Sequence, residues 1–335
     1  MKNRILVFAS HYLPGHNAGG PIRSLESIFN CLSEDIDFYL VTSDRDLGDN
    51  KPYPGIDPNS WTTVGNVSVF YSDQKYISKR RLLEIFERVQ PQTVYVNSLF
   101  SFAFSIRILF FIWHSRYKAV RVVLAPRGEL SKGALDQKRL KKFGFTLVTK
   151  FLKLYKNMVW HVSSKYEFLD VEKTYGDFGQ IHIASNLVND EASKLYSPLN
   201  EQKIQNEINI IFISRISRKK NLDFAIRSLL GLDGKVIFDI YGPHEDLDYV
   251  SKCKGIALDL PDNVSVCFKG DIEHENVPDL FKKYDIFYLP TKGENFGQVI
   301  WESLSCGCPV LISDQTPWSK VEADGVGWAL PLLHM

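Results

Sequence analysis

Short, largely apolar runs alternate with amphipathic stretches along this chain, and the alternation occurs twice. Runs such as Arg4 to Ser10 and residues 208–214 (INIIFIS) lack any polar face. A strand of that kind is buried on both sides, which requires parallel neighbours with helices above and below the sheet. The first series predicts strands at 4–10, 37–43, 67–72, 93–97, 120–125, 158–163 and 180–185. Its helices are expected from about Pro21 and over 79–89, 100–114, 138–157 and 165–175. The second series has strands at 208–214, 235–241, 264–269, 285–291, 309–314 and 325–330, with helices at 221–232, 276–284 and from about Gln298. Between the two, residues 186–207 are polar, contain Pro198 and read as a linker. The fold class is therefore α/β: two doubly wound parallel-sheet domains at 1–185 and 208–335. Residues 48–66, rich in Gly, Pro, Asn and Asp, read as a surface excursion.

The 335 residues are enough for each domain to bury its own core. A net charge of +1 hides an asymmetry. Residues 1–185 carry 25 Lys and Arg against 17 Asp and Glu, and residues 186–335 carry 15 against 22. Five scattered Cys, at 31, 253, 267, 306 and 308, offer no second pair to complete a zinc site beside Cys306 and Cys308. They read as small buried residues in a reducing compartment. The N-terminus runs straight into a strand without the pattern of a secretory signal, which places the expected location in the cytoplasm. Leu99 to Trp113 is apolar but holds Arg107 and is shorter than the ~20 residues of a membrane span, so it reads as a buried helix.

The chemistry concentrates at predicted strand ends. From Pro290 to Trp318 the sequence reads strand end, glycine loop, helix, strand, and carries Glu294 in the loop and Glu302 in the helix. A helix start fed by a glycine loop aims backbone N–H groups and the positive end of a dipole at one crevice, which suits an anion. The two carboxylates would repel phosphate and suit sugar hydroxyls on either side of it. A diphosphate flanked by two sugars describes a nucleotide sugar. Gly19 and Gly20 stand between the first strand and helix, where backbone can approach a ligand, but they do not form the G-x-G-x-x-G fingerprint of nicotinamide or flavin sites. Ala125-Pro126-Arg127-Gly128-Glu129 ends a strand, where Arg127 could hold acceptor or phosphate oxygens and Glu129 is a candidate base. The turn Ser214 to Asn221 is basic and includes Arg215 and Lys220. Lys132 to Lys156 holds eight Lys and Arg against one acid, Asp136, with Phe143, Phe145, Phe151, Leu152 and Tyr155 interleaved. That suits either an anionic membrane surface or a solvated helix face. Nucleic acid is disfavoured for want of a helix-turn-helix, zinc or stacking motif.

Glu294-Asn295-Phe296-Gly297, Glu302, Gly307, Pro309-Val310 and Thr316-Pro317 together resemble the signature of the family 4 glycosyltransferases. The Pro-Arg-Gly at 126–128 is similar to one subset of that family, whose other members have His there. The resemblance implies a GT-B fold, two Rossmann-like domains facing across a cleft, and retaining transfer of a hexosyl group from a nucleoside diphosphate sugar to a glycan or lipid-linked acceptor. It implies that Arg215 and Lys220 hold the diphosphate as it gains charge in leaving. Glu302 would accept from the ribose, and Glu294, Asn295 and the N–H groups of Phe296 and Gly297 would orient the sugar. Gly19 and Gly20 would lie near the phosphates. No cofactor and no metal are expected, the cations doing a metal's work. The implied setting is bacterial surface polysaccharide synthesis, with the protein peripheral on the inner face of the membrane. Asn186 is followed by Leu187 where the family usually has Gly.

Three rivals stand beside this reading. Asp44-Arg45-Asp46 after a strand would suit a metal-dependent, single-domain transferase. A sugar-nucleotide epimerase on the same scaffold, or a non-catalytic nucleotide-sugar binder, would share the donor site. The family usually continues past the last strand with helices, one of which crosses back to the first domain. Only Pro331 to Met335 follow here, so the expectation is a truncated form, weakly active or prone to association.

Overall fold

The computed structural model describes residues 2–73, 76–131, 134–135, 139–176, 179–187 and 206–333. The chain divides into two compact units, residues 1–189 and 190–335. Most of the polar stretch 186–207 lies outside the described residues, as do Lys132, Asp136 and Lys138 of the basic run.

In the first unit the strands are β1 (Asn3–Phe8), β2 (Ile36–Ser43), β3 (Trp61–Val64), β4 (Val67–Ser72), β5 (Thr93–Val96), β6 (Arg121–Leu124), β7 (Met158–Val162) and β8 (Gly179–Ile183). They form one sheet in the order β3-β4-β2-β1-β5-β6-β7-β8. Every pair is parallel except β3 with β4. The helices are α1 (Gly20–Leu32), α2 (Lys79–Val89), α3 (Arg107–Trp113), α4 (Arg139–Phe151) and α5 (Lys165–Tyr175). Because side chains alternate along a strand, each face of the sheet has its own core. Val7, Leu40 and Val69 pack with Leu25 and Phe29 of α1 on one side. Leu6, Phe8, Val94 and Val96 pack with Phe86 of α2 and Ile112 of α3 on the other.

The second unit contains β9 (Glu207–Ile213), β10 (Lys235–Tyr241), β11 (Val264–Gly270), β12 (Ile286–Leu289), β13 (Val310–Ser313) and β14 (Gly327–Leu330). Its helices are α6 (Leu222–Arg227), α7 (Leu247–Leu258), α8 (Val277–Phe281) and α9 (Gln298–Ser305). The strands are all parallel in the order β11-β10-β9-β12-β13-β14, the 3-2-1-4-5-6 sequence of a doubly wound nucleotide-binding sheet. The order reverses between β9 and β12, so the loops after those two strands diverge to opposite faces and leave a crevice at their C-terminal ends.

Several expectations need correction. Residues 61–64 are not excursion but an antiparallel edge strand, turned into β4 by Gly65-Asn66 with Gly65 at φ 56°. That two-residue hairpin signal was present in the sequence. Helix α7 was missed: Asp246 caps it by accepting from Tyr249 N (2.9 Å), and Tyr249, Val250 and Cys253 form its buried side, but Lys252, Lys254 and Gly255 break up the apolar pattern. The helix expected over 138–157 stops at Phe151, because Lys153 and Asn157 take left-handed φ of 50° and 66° and turn the chain into β7. The helix expected over 100–114 opens as a π-helical turn, Phe102–Ile106. The helix expected over 221–232 ends at Arg227. Among the cysteines, Cys253, Cys306 and Cys308 are buried, whereas Cys31 is exposed. No helix among the described residues is long and apolar enough to cross a membrane.

Candidate functional site

The crevice of the second unit is bounded by the loop after β9 and the loop after β12. Gly242, ending β10, lets the β9 loop pass close by. At φ 131° it occupies backbone space that favours glycine, and a Cβ would lie 2.0 Å from Ser214 O. The β9 loop then turns at Asn221, which is buried in the left-handed region at φ 61° and donates from Nδ2 to Pro290 O (3.0 Å). Lys292 N donates to Lys219 O (2.8 Å), tying the loops together a second time.

Those ties bring Lys220 and Glu294 into contact. Nζ lies 2.6 Å from Oε1, with the side chains only 14% and 12% exposed. The Thr291 hydroxyl donates to the same oxygen (3.0 Å), and Glu294 N donates to Gln315 O (3.0 Å). Burial would raise the Glu294 pKa, but Lys220, with Lys219 and Thr291, outweighs it and holds the carboxyl below its usual range. Oε2 makes no hydrogen bond among the described residues. It can accept from a ligand hydroxyl.

Glycine at 297 sits immediately before α9 at φ 78°, where a Cβ would come within 2.8 Å of Ile300 Cδ1. Trp318 donates from Nε1 to Phe296 O, and its ring meets those of Phe296 and Trp301 at 5.5 and 6.3 Å. The helical bonds of α9 begin with Ile300 N donating to Gly297 O (2.9 Å), so the N–H groups of Gln298 and Val299 ahead of it have no helical acceptor, as helix geometry requires. Glu302 is half-buried one turn further along α9. Arg215 stands apart from the ion pair and meets Glu245 at 3.3 Å, both side chains well exposed.

In the first unit, Arg127 stands three residues past the end of β6, at φ 50°. Its Nε donates to Asn97 Oδ1 (2.6 Å), Nη1 to Asn186 Oδ1 (2.8 Å) and Nη2 to the Tyr95 hydroxyl (2.9 Å). No carboxylate among the described residues pairs with it, and three of its five donors are used. His161 extends the chain of bonds, with Nδ1 2.7 Å from Tyr95 Oη and Nε2 2.9 Å from Ala184 O. A carbonyl can only accept, so Nε2 carries the proton, Nδ1 accepts from the Tyr95 hydroxyl, and the Tyr95 oxygen accepts from Arg127. Burial first, and then the Arg127 charge, lowers the His161 pKa, in keeping with that neutral form. Tyr95 Oη is pushed up by burial.

Two candidates turn out to be structural. Glu129 accepts from Ser98 Oγ (2.8 Å), Leu99 N and Phe100 N (3.1 Å), and pins the chain after β5. Burial raises its pKa, against the loop donors and the Lys142 charge, and its hydrogen bonds hold the loop after β5. Asp46, offered above as a metal ligand with Asp44, accepts from the backbone N–H of His16 (2.7 Å), Asn17 (3.0 Å) and Leu47 (2.7 Å). Asp44 pairs with Arg45 at 2.8 Å. Among the described residues no group of three or more His, Cys, Asp or Glu could hold a metal ion. The single-domain rival falls with the two-unit architecture. Gly19, at φ 64°, has open space around its Cβ position, so its conformation rather than crowding calls for glycine. Gly20 opens α1.

Sequence reasoning missed Thr291, Asn221, Tyr95 and Asn97. Thr291, Tyr95 and Asn97 lie at or just past the C-terminal end of a strand, the one signal that could have marked them, whereas Asn221 closes the loop after β9, immediately before α6.

Residues 199–331 match the family described as glycosyl transferases group 1. The chain is 23% identical over 240 residues to an uncharacterized 41.2 kDa protein in the cps region of Klebsiella pneumoniae, covering 70% of this chain and 63% of that one. It is 27% identical over 118 residues to the lipopolysaccharide core biosynthesis mannosyltransferase LpsB of Rhizobium meliloti, covering 33% and 32%. The matched stretches thus span less than two thirds of either relative. Among solved structures, sucrose-phosphate synthase of Thermosynechococcus elongatus superposes with a TM-score of 0.74 at 16% identity, over 98% of this chain and 86% of that one. HepE of Anabaena, solved in complex with UDP-glucose, gives 0.65 at 16% identity, over 98% and 85%. Residues 199–331 carry the pattern of the group 1 glycosyl transferases, and the chain has the GT-B fold, built of two Rossmann-like parallel-sheet domains.

Proposed function

We propose that this protein is a retaining glycosyltransferase of the family 4 kind, which moves a sugar from a nucleoside diphosphate sugar to a hydroxyl of a glycan or lipid-linked acceptor in surface polysaccharide synthesis. The observation that carries the reading is the Lys220–Glu294 pair at the strand-order reversal of the second unit, beside the start of α9. One group there is a cation and the other a hydroxyl acceptor, the two needs of a sugar phosphate. The relatives named above, in a cps region and in lipopolysaccharide core synthesis, and the UDP-glucose bound by HepE, support the same class.

In the reaction the bond from the anomeric carbon to the diphosphate oxygen breaks, its electron pair leaves with the phosphate, and the acceptor oxygen bonds the carbon as its proton passes to the departing phosphate oxygen. The transition state has oxocarbenium character. Lys220 and Arg215 would stabilise the charge growing on the leaving group, more in the transition state than in the ground state. Glu294, through Oε2, would take a hydroxyl of the transferred sugar, with Asn295 and the Phe296 and Gly297 N–H groups beside it. Glu302 would take the ribose. Arg127, with two donors to spare, would hold an oxygen of the acceptor or of a phosphate. Gly19 and Gly20 would let backbone approach the donor. Positive charge for the leaving group comes from these side chains, so neither metal nor organic cofactor is called for.

The test is a thermal-stabilisation screen of nucleotides and nucleotide sugars, followed by product analysis with the hit. A raised melting temperature with one nucleoside diphosphate sugar and a new glycoside in the presence of an acceptor are expected. An isomerised donor would mean an epimerase, and an unchanged donor with every acceptor a binder. Stabilisation by none of them would remove the reading.

A further inference from the structure

Helix α4 wears its apolar face outward. Phe143, Leu147 and Phe151 follow one another at four-residue spacing and are 62%, 52% and 86% exposed, with Val148 and Leu152 alongside them. The opposite side of the helix is committed inward. The Phe145 ring meets Phe100 at 5.0 Å, the Lys142 ammonium lies over Phe100, Lys150 lies over Tyr175, and Thr149 Oγ1 meets Tyr175 Oη at 3.1 Å. Rolling the helix to bury its seam would break all four contacts. The seam is therefore presented by the fold rather than left loose.

Lys141, Lys153 and Lys156 are exposed near the seam, and residues 139–157 include no Asp or Glu. Just past the end of α4, an open groove of about 640 Å³ lies at the N-terminal ends of β6, β7 and β8, the sheet edge opposite the strand ends that bear Arg127. Lys118, Arg121 and Lys156 line it, with Trp113 and Gln180, and among the described residues no carboxylate does. Asp177, two residues before Gly179 in that lining, lies outside the described residues. Lys156 is four residues beyond Leu152, at most ~14 Å of chain. The groove thus begins within a few residues of the end of the seam.

We infer that this surface docks the protein on an anionic lipid bilayer: the α4 seam enters the boundary of the acyl layer, and Lys118, Arg121 and Lys156 take phosphate oxygens of the lipid headgroups. Apolar side chains with cations beyond one end of them, and an indole among those cations, match the layered chemistry of such a surface. A second copy of the chain would bring two positive faces together. A nucleic acid would satisfy the cations but leave five apolar side chains in water. The inference does not rest on the donor site, and its readout is partition rather than activity.

The experiment sediments the full chain with vesicles of phosphatidylglycerol mixed with phosphatidylcholine, and with vesicles of phosphatidylcholine alone. Binding to the first, weakened by added salt, and little binding to the second are expected. Since a cation near such a surface contributes on the order of fivefold to partition, Lys118→Gln/Arg121→Gln/Lys156→Gln should lower it on the order of a hundredfold. The control Lys51→Gln/Lys79→Gln/Lys165→Gln, exposed cations elsewhere in the same unit, should lower it by less than about tenfold. Phe143→Ser/Phe151→Ser should also lower it, by roughly tenfold or more per ring. All these side chains are exposed, so unchanged melting curves are expected and are checked. The inference is overturned if the wild type stays in the supernatant, if it binds both vesicles equally, or if the groove variant matches the control. It is equally overturned if Phe143→Ser/Phe151→Ser leaves partition unchanged or dissolves a dimer of the free protein, or if a nucleic acid duplex binds this face instead.

Discussion

Lys220 Nζ and Glu294 Oε1 stand 2.6 Å apart, although 74 residues separate them in the chain. The contact joins the loop after β9 to the loop after β12, the two strands between which the sheet order reverses. The cation and the carboxylate hold each other, both largely buried. Each keeps the other's loop in place.

Breaking this pair should cost more than deleting it. Lys220→Met strands a largely buried carboxylate and should destabilise the second unit by about 3 kcal/mol, while Lys220→Met/Glu294→Gln should recover part of the loss. Urea unfolding followed by the fluorescence of Trp301 and Trp318 measures both. Because the folded pKa of Glu294 is depressed, the pair's contribution is complete above the ordinary carboxylate pKa, about 4.3, and is lost as pH falls through the lower folded value. The gap between wild type and Lys220→Met should therefore close on acidification. A gap that is constant down to pH 3 would contradict the pairing.

Glu302→Gln replaces a charged acceptor with a neutral one and should weaken binding of the nucleotide sugar by about 1.5–3 kcal/mol, measured by calorimetry. Glu294→Gln should act mainly on turnover. Wild-type affinity and activity in both variants would show that the donor lies elsewhere.

Arg127→Lys cannot keep the bonds to Asn97, Asn186 and Tyr95 together, since a single ammonium does not reproduce the planar fork. Transfer should slow by about tenfold or more while nucleotide affinity stays unchanged. Single-turnover rates compared with equilibrium binding separate the two effects. Equal loss in both would move Arg127 from the acceptor to the donor.

His161 provides a pH test in the first unit. Its folded pKa is lowered, so the unfolded chain takes up the proton first. The contribution to stability is full above the ordinary value, about 6.5, and declines as pH falls through the folded value. The first unit should melt at lower temperature at pH 5 than at pH 7, and His161→Gln should flatten that slope. Calorimetry at the two pH values checks it.

Much of this was legible in advance. Largely apolar runs such as INIIFIS leave few options besides a buried parallel strand, because neither face of them is polar throughout. The glycines and carboxylates of 293–302 marked a strand-loop-helix turn by local chemistry alone, and the turn is there. Elements escaped notice where local chemistry was mixed. In α7 the capping Asp246 is clear, but Lys252, Lys254 and Gly255 interrupt the buried side. In β3 four residues at a sheet edge bury too little to announce themselves.

What the sequence determined by itself was the kind of fold and the strand ends where chemistry would gather, since both follow from periodicity and turn residues within a few positions of one another. Which of those residues meet was decided only by the tertiary structure. Glu129 and Asp46 carry the same carboxyl as Glu294, yet backbone N–H groups engage them and make them loop pins. Phe143 and Phe145 are two apart in one helix, and one faces water while the other packs on Phe100. Pairings over 74 residues, and the choice of which face of a helix is covered, depend on strand order and on neighbours distant in the chain. No local pattern encodes them, because the energy that selects them arises only when the sheet has assembled.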